Sequence, residues 1–196
     1  MHILETPRLI LRPPSQSDEL LLHGLRSDPF VVDAIADGVY PTIEQSKAVL
    51  LQFINHWQHN RFGKWMVFVK DEGHARKFAG YCGLMYSGPY LPDDPNNVEI
   101  ATALHLAASG KGIAVEAGRA VVQFAFEHLK LEKVTSFVIP TNTRSLLKNL
   151  KIGFFYVGDS IYDNRTMRRL EVSPTTAVKS ERLLVFDAKI QIRNHW

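Results

Sequence analysis

A strand that runs into two closely spaced glycines, followed at once by a long helix, constrains this chain more than any other stretch. Val98 to Leu106 reads as a strand, Ser109-Gly110-Lys111-Gly112 breaks the pattern, and helical periodicity runs from about Ile113 to Leu129. Glycines at such a junction permit tight turning and leave backbone N–H groups open to a ligand. The first amides of the helix lack intrahelical partners and sit at the positive end of its dipole. An anion is stabilised there, and a pyrophosphate is the natural guest. The spelling excludes the better-known phosphate motifs. A P-loop needs G-x-x-x-x-G-K followed by Ser or Thr, yet Gly112 follows Lys111 and His105 stands where the first glycine belongs. A dinucleotide turn needs a third glycine where Val115 stands, and a kinase needs an H-R-D segment that the chain lacks. Taken alone, G-K-G before a helix fits a ligand-free strand–helix turn equally well.

The rest of the chain frames this junction. Its 196 residues suit one domain over 1–196, and 45% hydrophobic with 22% charged residues is ordinary for a globular protein. Thr6 to Arg12 reads as a first strand, with Ser17 and Asp18 as cap residues for a helix carrying Leu20, Leu21, Leu22 and Leu25 that ends at Asp28-Pro29. Thr42 and Gln45 form a capping-box pattern before a helix whose apolar face is Val49, Leu50, Phe53, Ile54 and Trp57. Two strands follow, Trp65 to Val69 and Phe78 to Tyr86, then an irregular proline-rich loop up to Asn97. After the long helix come a strand at Lys133 to Ile139, a short helix stopped by Gly153, a strand starting at Phe154 to Val157, and a last strand at Arg182 to Ile192. The order predicts an α/β (α+β) fold around a mixed sheet, with about seven strands and four or so helices.

Composition narrows the function classes. No apolar run approaches the ~20 residues of a membrane span, and the N-terminal segment reads as a strand, not a signal peptide; cytoplasm is the expected location and no membrane partner is expected. Cys82 is the only cysteine, which excludes a disulfide framework and a cysteine-rich zinc site, and its apolar neighbours make it a core thiol. His56 and His59 lie three apart on a helix with no third ligand spelled nearby, so no metal site is expected. A net charge of +3 suits a small polyanion and is too small for a nucleic-acid partner; Arg165, Arg168 and Arg169 read as a solvated loop. The triplet Asn164-Arg165-Thr166 spells a glycosylation site, without a secretion signal to give it meaning.

Three groups of residues in fixed order carry a resemblance. Glu5-Thr6-Pro7-Arg8-Leu9-Ile10-Leu11-Arg12 with Asp18 is similar to "T-x-R-L-x-L-R" followed by an Asp. Glu99-Ile100, Leu104 and Gly110-Lys111-Gly112-Ile113-Ala114-Val115-Glu116-Ala117 are similar to "E-I-G-Y-x-L-x-P-x-x-W-G-K-G-Y-A-T-E-A". Asn142-Thr143-Arg144-Ser145 and Ile152-Gly153-Phe154 are similar to "N-x-x-S" and "L-G-F". The chain thus resembles the GNAT superfamily of N-acetyltransferases, in the branch that includes the ribosomal-protein alanine N-acetyltransferases. It departs from that branch at Ala101, Thr102, Leu106 and Ser109, where Gly, Tyr, Pro and Trp are usual.

The resemblance implies acetyl-CoA as cosubstrate, with its pantetheine between two splayed strands and its pyrophosphate on the amides of Gly110, Lys111, Gly112, Ile113 and Ala114. A backbone N–H near Leu104 is the candidate donor to the thioester oxygen, because acyl transfer makes that oxygen an anion. Glu99 is the candidate base that takes the amine's proton through water, His105 being a second candidate that strand alternation makes structural. Ser145 is the candidate group for the departing sulfur. Asn142 is a helix cap and a candidate pantetheine ligand, and Asn149 occupies the position of the superfamily's usual acidic tyrosine. The expected reaction is direct attack by a primary amine, either a protein N-terminus or a small molecule, in a chain that is a monomer or homodimer. The alternative is a non-catalytic acyl-CoA-binding sensor. Val31 to Tyr40 and Ser160 to Ser180 are the expected specificity segments, with Asp33, Asp37, Asp93 and Asp94 as attractors for a cationic substrate.

Overall fold

Thr42 opens the longest helix as its spelling announces: its hydroxyl accepts from Gln45 N–H at 3.2 Å, and the Gln45 side chain accepts from Thr42 N–H at 2.8 Å. This helix, α3, spans Ile43–Asn60, buries Leu50, Phe53 and Trp57, and ends where Arg61 turns left-handed. Before it lie β1 (His2–Glu5), β2 (Leu9–Arg12), α1 (Glu19–Arg26) and α2 (Pro29–Ile35). After it come β3 (Lys64–Lys70), β4 (Arg76–Tyr86), β5 (Val98–Leu104), α4 (Ile113–Glu127), β6 (Val134–Val138), α5 (Thr143–Ile152), β7 (Phe155–Tyr162), β8 (Arg165–Val172) and β9 (Gln191–Asn194). The computed structural model describes residues 2–35, 38–70, 76–175 and 191–194.

These strands form one mixed sheet in the order β7-β8-β6-β5-β4-β3-β2-β1-β9. The hairpins β1–β2, β3–β4 and β7–β8 are antiparallel, as is β4–β5, whereas β5 and β6 are parallel and α4 makes the crossover between them. Alternation divides the core between the two faces. Leu22, Leu25, Leu50, Phe53, Met66, Tyr81 and Ala103 pack under α1 and α3, while Cys82, Leu84, Ile100 and Leu104 join the buried face of α4 on the other side. The buried face of α4 includes Ala117, Gly118, Ala120 and Ala125, and at Gly118 a Cβ would lie 2.3 Å from the Ile152 Cδ1 of α5, so these two helices pack closely.

Nine strands exceed the expected seven, among the described residues, for identifiable reasons. The N-terminal strand is two, because Thr6 N–H bonds back to Leu9 O and folds the chain into a hairpin. Residues 160–180 were expected to be a long connection, but they contain β8: Asp163 and Asn164 are both left-handed (φ 49° and 57°) and close a two-residue turn between Tyr162 and Arg165. Asp28-Pro29 does not simply end a helix; Pro29 starts α2, which runs into the expected specificity segment Val31 to Tyr40. On α1 only Leu22 and Leu25 are buried, while Leu20 faces out. Most of the expected strand at Arg182 to Ile192 lies outside the described residues, and residues 191–194 pair antiparallel with β1.

Candidate functional site

Glu99 and Thr135 are the one residue pair in register between β5 and β6; beyond it the strands part. The root of the fork is held by a buried polar cluster. Asn97 Nδ2 donates to Ser87 Oγ at 2.8 Å and to Thr135 Oγ1 at 2.5 Å, and Thr135 Oγ1 donates to Val98 O at 3.2 Å. A cavity of about 970 Å³ opens between the strands and is lined by Thr102, Leu104, Ser136, Ser145 and Lys148. At one end it reaches Gly110, Gly112, Ile113 and Ala114; at the other it reaches Tyr162 and the side chains around Lys64.

At the glycine end, Gly110 and Gly112 take φ of 74° and 76°, backbone that a side-chain-bearing residue adopts only under strain. The first bond of α4 runs from Glu116 N to Gly112 O (3.0 Å), so the amides of Ile113, Ala114 and Val115 have no acceptor within the helix. Their donors and the helix dipole suit a phosphate. Lys111 is exposed, and its carbonyl accepts from Arg8 Nη1 at 2.9 Å. Glu116 braces this turn. Its Oε1 accepts from Thr6 Oγ1 at 2.5 Å and from Arg8 N–H at 3.0 Å, and its Oε2 pairs with Arg8 Nε at 2.6 Å. Motif residues more than a hundred positions apart therefore meet in one strut.

Glu99 is 6% exposed. Ser87 donates to its Oε2 at 3.0 Å and Tyr162 to its Oε1 at 2.7 Å. Burial pushes its carboxyl up from the ordinary range; the hydrogen bonds from Tyr162 and Ser87 and the charge of Lys64 oppose this and do not cancel it. Tyr162, which lines the cavity, stands between Glu99 and open space; it is stacked on Phe137 at 4.4 Å between ring centroids and on Tyr90 at 5.7 Å. Burial and the neighbouring Glu99 charge keep its phenol protonated. Lys64 enters the same space from β3, and burial lowers its ammonium to about 8.

From the other arm of the fork, Asn142 caps α5, its Oδ1 accepting from Ser145 N–H at 3.0 Å, which leaves the Ser145 hydroxyl at the cavity wall. Asn149 turns away: it is fully buried and donates to Ser136 Oγ at 2.8 Å. Lys148 spans the fork, donating to Thr102 Oγ1 at 3.4 Å, and its amine is held below the ordinary lysine range by burial. Cys82 is fully buried beneath Thr102, and burial raises its thiol above the ordinary range.

His105, read as structural, is held by Asp28, whose Oδ2 lies 2.9 Å from its Nδ1. Several other placements differ from expectation. His56, expected at the surface, lines the cavity, with Nδ1 bonded to Phe62 O at 2.8 Å. Asp33, Asp93 and Asp94 do not line the cavity, and Asp37 lies outside the described residues. Arg168 and Arg169 belong to β8, where Arg169 pairs with Glu171 at 2.9 Å. Sequence reasoning missed Tyr162, Lys64, Lys148 and Arg26 as wall residues. The Asp163-Asn164 turn was the available signal for Tyr162; the three cations carried none, since each looks like a surface residue in one dimension. Among the described residues no group of His, Cys, Asp and Glu could hold a metal, and no helix is long and apolar enough to cross a membrane.

Known proteins share this construction. Residues 8–154 match the family model described as "Acetyltransferase (GNAT) domain". An uncharacterized N-acetyltransferase of Bacillus subtilis, YnaD, is 29% identical over 157 residues, covering 78% of this chain and 82% of its own length. A putative GNAT-family acetyltransferase from Bordetella pertussis superposes with a TM-score of 0.74 at 22% identity, over 87% of this chain and 99% of that one. Mycobacterium smegmatis RimJ, solved with CoA-disulfide, gives a TM-score of 0.72 at 16% identity over 96% of both chains. With a family match over most of its length, on a sheet that forks beside an open helix start, this chain belongs to the GNAT acetyltransferases.

Proposed function

We propose that residues 1–196 act as one domain that transfers the acetyl group of acetyl-CoA to a primary amine by direct attack. Family membership implies acetyl transfer from acetyl-CoA; the amine acceptor and the residue roles are the proposal. One observation carries it: a single cavity lined by Gly110, Gly112, Ile113 and Ala114, at the open start of α4, also reaches the Tyr162 that covers Glu99.

The amides from Gly110 to Ala114 hold the pyrophosphate, with Lys111 adding charge, and the fork between β5 and β6 receives the pantetheine beside Asn142. A backbone N–H near Leu104 donates to the carbonyl oxygen as it becomes anionic. The amine nitrogen forms the new C–N bond, the C–S bond breaks, and one amine proton passes toward Glu99 by way of Tyr162 and water. Ser145 donates a hydrogen bond to the departing sulfur. Glu99 suits the base role because its raised carboxyl is more basic than an ordinary glutamate.

Free-thiol release with a panel of amines, beside calorimetry of CoA binding, tests this. Glu99→Gln is expected to lower kcat by roughly 10²–10⁴-fold with CoA affinity unchanged. A non-catalytic acyl-CoA sensor predicts saturable CoA binding and no thiol release with any amine.

A further inference from the structure

Three features of the molecule lie outside the transfer chemistry: the Lys148–Thr102 contact across the fork, the exposed apolar residues of the β7 edge, and a group of cations at the cavity end away from the glycines. The first lies within the cosubstrate slot, and nothing shows what would cover the second. The third has a specific chemical meaning.

Arg26 closes α1 and Lys64 opens β3, and both line the cavity. The Nη1 of Arg26 is buried and has no hydrogen-bond partner among the described residues. A buried guanidinium nitrogen without an acceptor is a costly arrangement, which persists where something else supplies the acceptor. Lys64 Nζ sits 4.4 Å from the centre of the Phe53 ring and 5.2 Å from that of Tyr81, with no carboxylate in salt-bridge range among the described residues. Tyr81 is buried on the same face, and burial holds its hydroxyl in the protonated, donating form, pushed up to about 12. The three donors come from three different elements and carry two positive charges. Asp163 is the one carboxylate among the described wall residues, and Glu99 lies behind Tyr162.

This donor group is distinct from the phosphate turn. Tyr81 lies under α1 and α3, on the sheet face opposite α4. Two-residue alternation puts Met85 on the Tyr81 face, and Met85 is in register with Glu99, so the donors share a face with the candidate base. Lys64 lies within electrostatic reach of both Glu99 and Arg26. An amine beside Glu99 and Tyr162 therefore has positive charge a short distance further in. A cationic tail would be repelled there and a neutral one would leave the Arg26 donor unanswered. A carboxylate answers it, because the guanidinium fork matches a planar carboxylate.

We infer that Arg26, Lys64 and Tyr81 form a subsite for a carboxylate carried by the acceptor, so that the substrate class is small amino acids and not polyamines or neutral amines. This rests on the acetyl-transfer function proposed above.

The experiment measures thiol release from acetyl-CoA with amino acids, their amides and diamines of equal length, using wild-type protein, Arg26→Gln, Arg26→Lys and Lys64→Met. Amino acids are expected to give a kcat/KM at least tenfold above their amides. Arg26→Gln should raise KM for amino acids at least tenfold, with kcat within about threefold and the amides unaffected, and Arg26→Lys should restore part of the loss. Equal or better turnover of amides or diamines, or an unchanged KM in Arg26→Gln, overturns the subsite. Failure of acetyl transfer itself is distinguishable, since no amine of any charge would then release thiol. In that event, calorimetry of amino acids with the protein–CoA complex decides: saturable binding lost in Arg26→Gln supports the subsite, and no binding overturns it.

Discussion

The carboxylate of Asp18 is 1% exposed and receives both Arg12 Nη1 at 2.8 Å and Arg12 Nη2 at 2.5 Å, with Ser15 N–H at 2.7 Å. Burial works to raise this carboxyl, but the Arg12 and Ser15 hydrogen bonds and the Arg12 charge outweigh it and hold it below the ordinary value. Two residues of the opening motif are thus a buried ion pair that fixes the approach to α1, and removing one partner strands the other. Asp18→Asn is expected to cost about 3 kcal/mol at pH 7, measured by urea unfolding. With the folded carboxyl depressed, its contribution is complete above the unfolded value near 3.8 and is lost as pH falls through the lower folded value. The gap between wild type and variant should therefore narrow below pH 4. Lys64 has the opposite sign. Folding lowers its ammonium from 10.5 to about 8, so below pH 8 the folded state bears the full cost of burying the charge. Lys64→Met should be more stable at pH 7 by roughly 1–3 kcal/mol, and this advantage should shrink between pH 8 and 10.5 as the unfolded wild type also deprotonates. Equal melting temperatures at pH 7 would count against a charged Lys64 held in this half-buried position.

Two elements owe their shape to backbone that only the assembled sheet explains. In β4 the register shifts opposite Val67/Phe68, and Gly80 takes φ of 142° where a Cβ would sit 2.1 Å from Ala103 O. That bulge lets Ala79 O accept from His105 N–H at 2.9 Å and so directs the end of β5 toward the glycine turn. Gly80→Ala is expected to lose about 3 kcal/mol or more and to weaken CoA binding in whatever fraction folds, read by thermal melts and calorimetry. The Glu116 strut belongs to the same scale. Arg8 is 52% exposed, so its ion pair with Glu116 is worth little as stability. Its value is positional, and Glu116→Gln should weaken CoA binding about tenfold while shifting stability by no more than about 1 kcal/mol. The hairpin β7–β8 was hard to see in the sequence for a physical reason. Phe155, Tyr156 and Val157 in β7 are all exposed, and the half-buried face of this edge strand is Gly158, Ser160 and Tyr162, so no apolar alternation marks it in the sequence.

At the scale of the molecule, the site is assembled where the sheet forks, and its walls come from nearly every element. Cys82 lies in the core and outside the cavity wall, so the transfer has no thiol nucleophile available to it. Cys82→Ala should keep kcat within about threefold while losing roughly 1–2 kcal/mol of stability through the small void it leaves. A hundredfold loss of turnover, with folding intact, would indicate an acetylated enzyme instead of direct attack.

Local periodicity and spelling were enough to determine the long helices, the glycine turn ahead of α4 and the central strands, because each depends on residues close in sequence. The three motif fragments also determined the family. Tertiary structure alone decided that Thr6 and Arg8 brace Glu116, that Tyr162 from an edge hairpin covers Glu99, and that Arg26, Lys64 and Tyr81 converge on one wall. Such contacts join residues tens to more than a hundred positions apart. Whether a lysine or arginine is solvated or buried depends on what the fold places beside it, and composition carries no record of that neighbour.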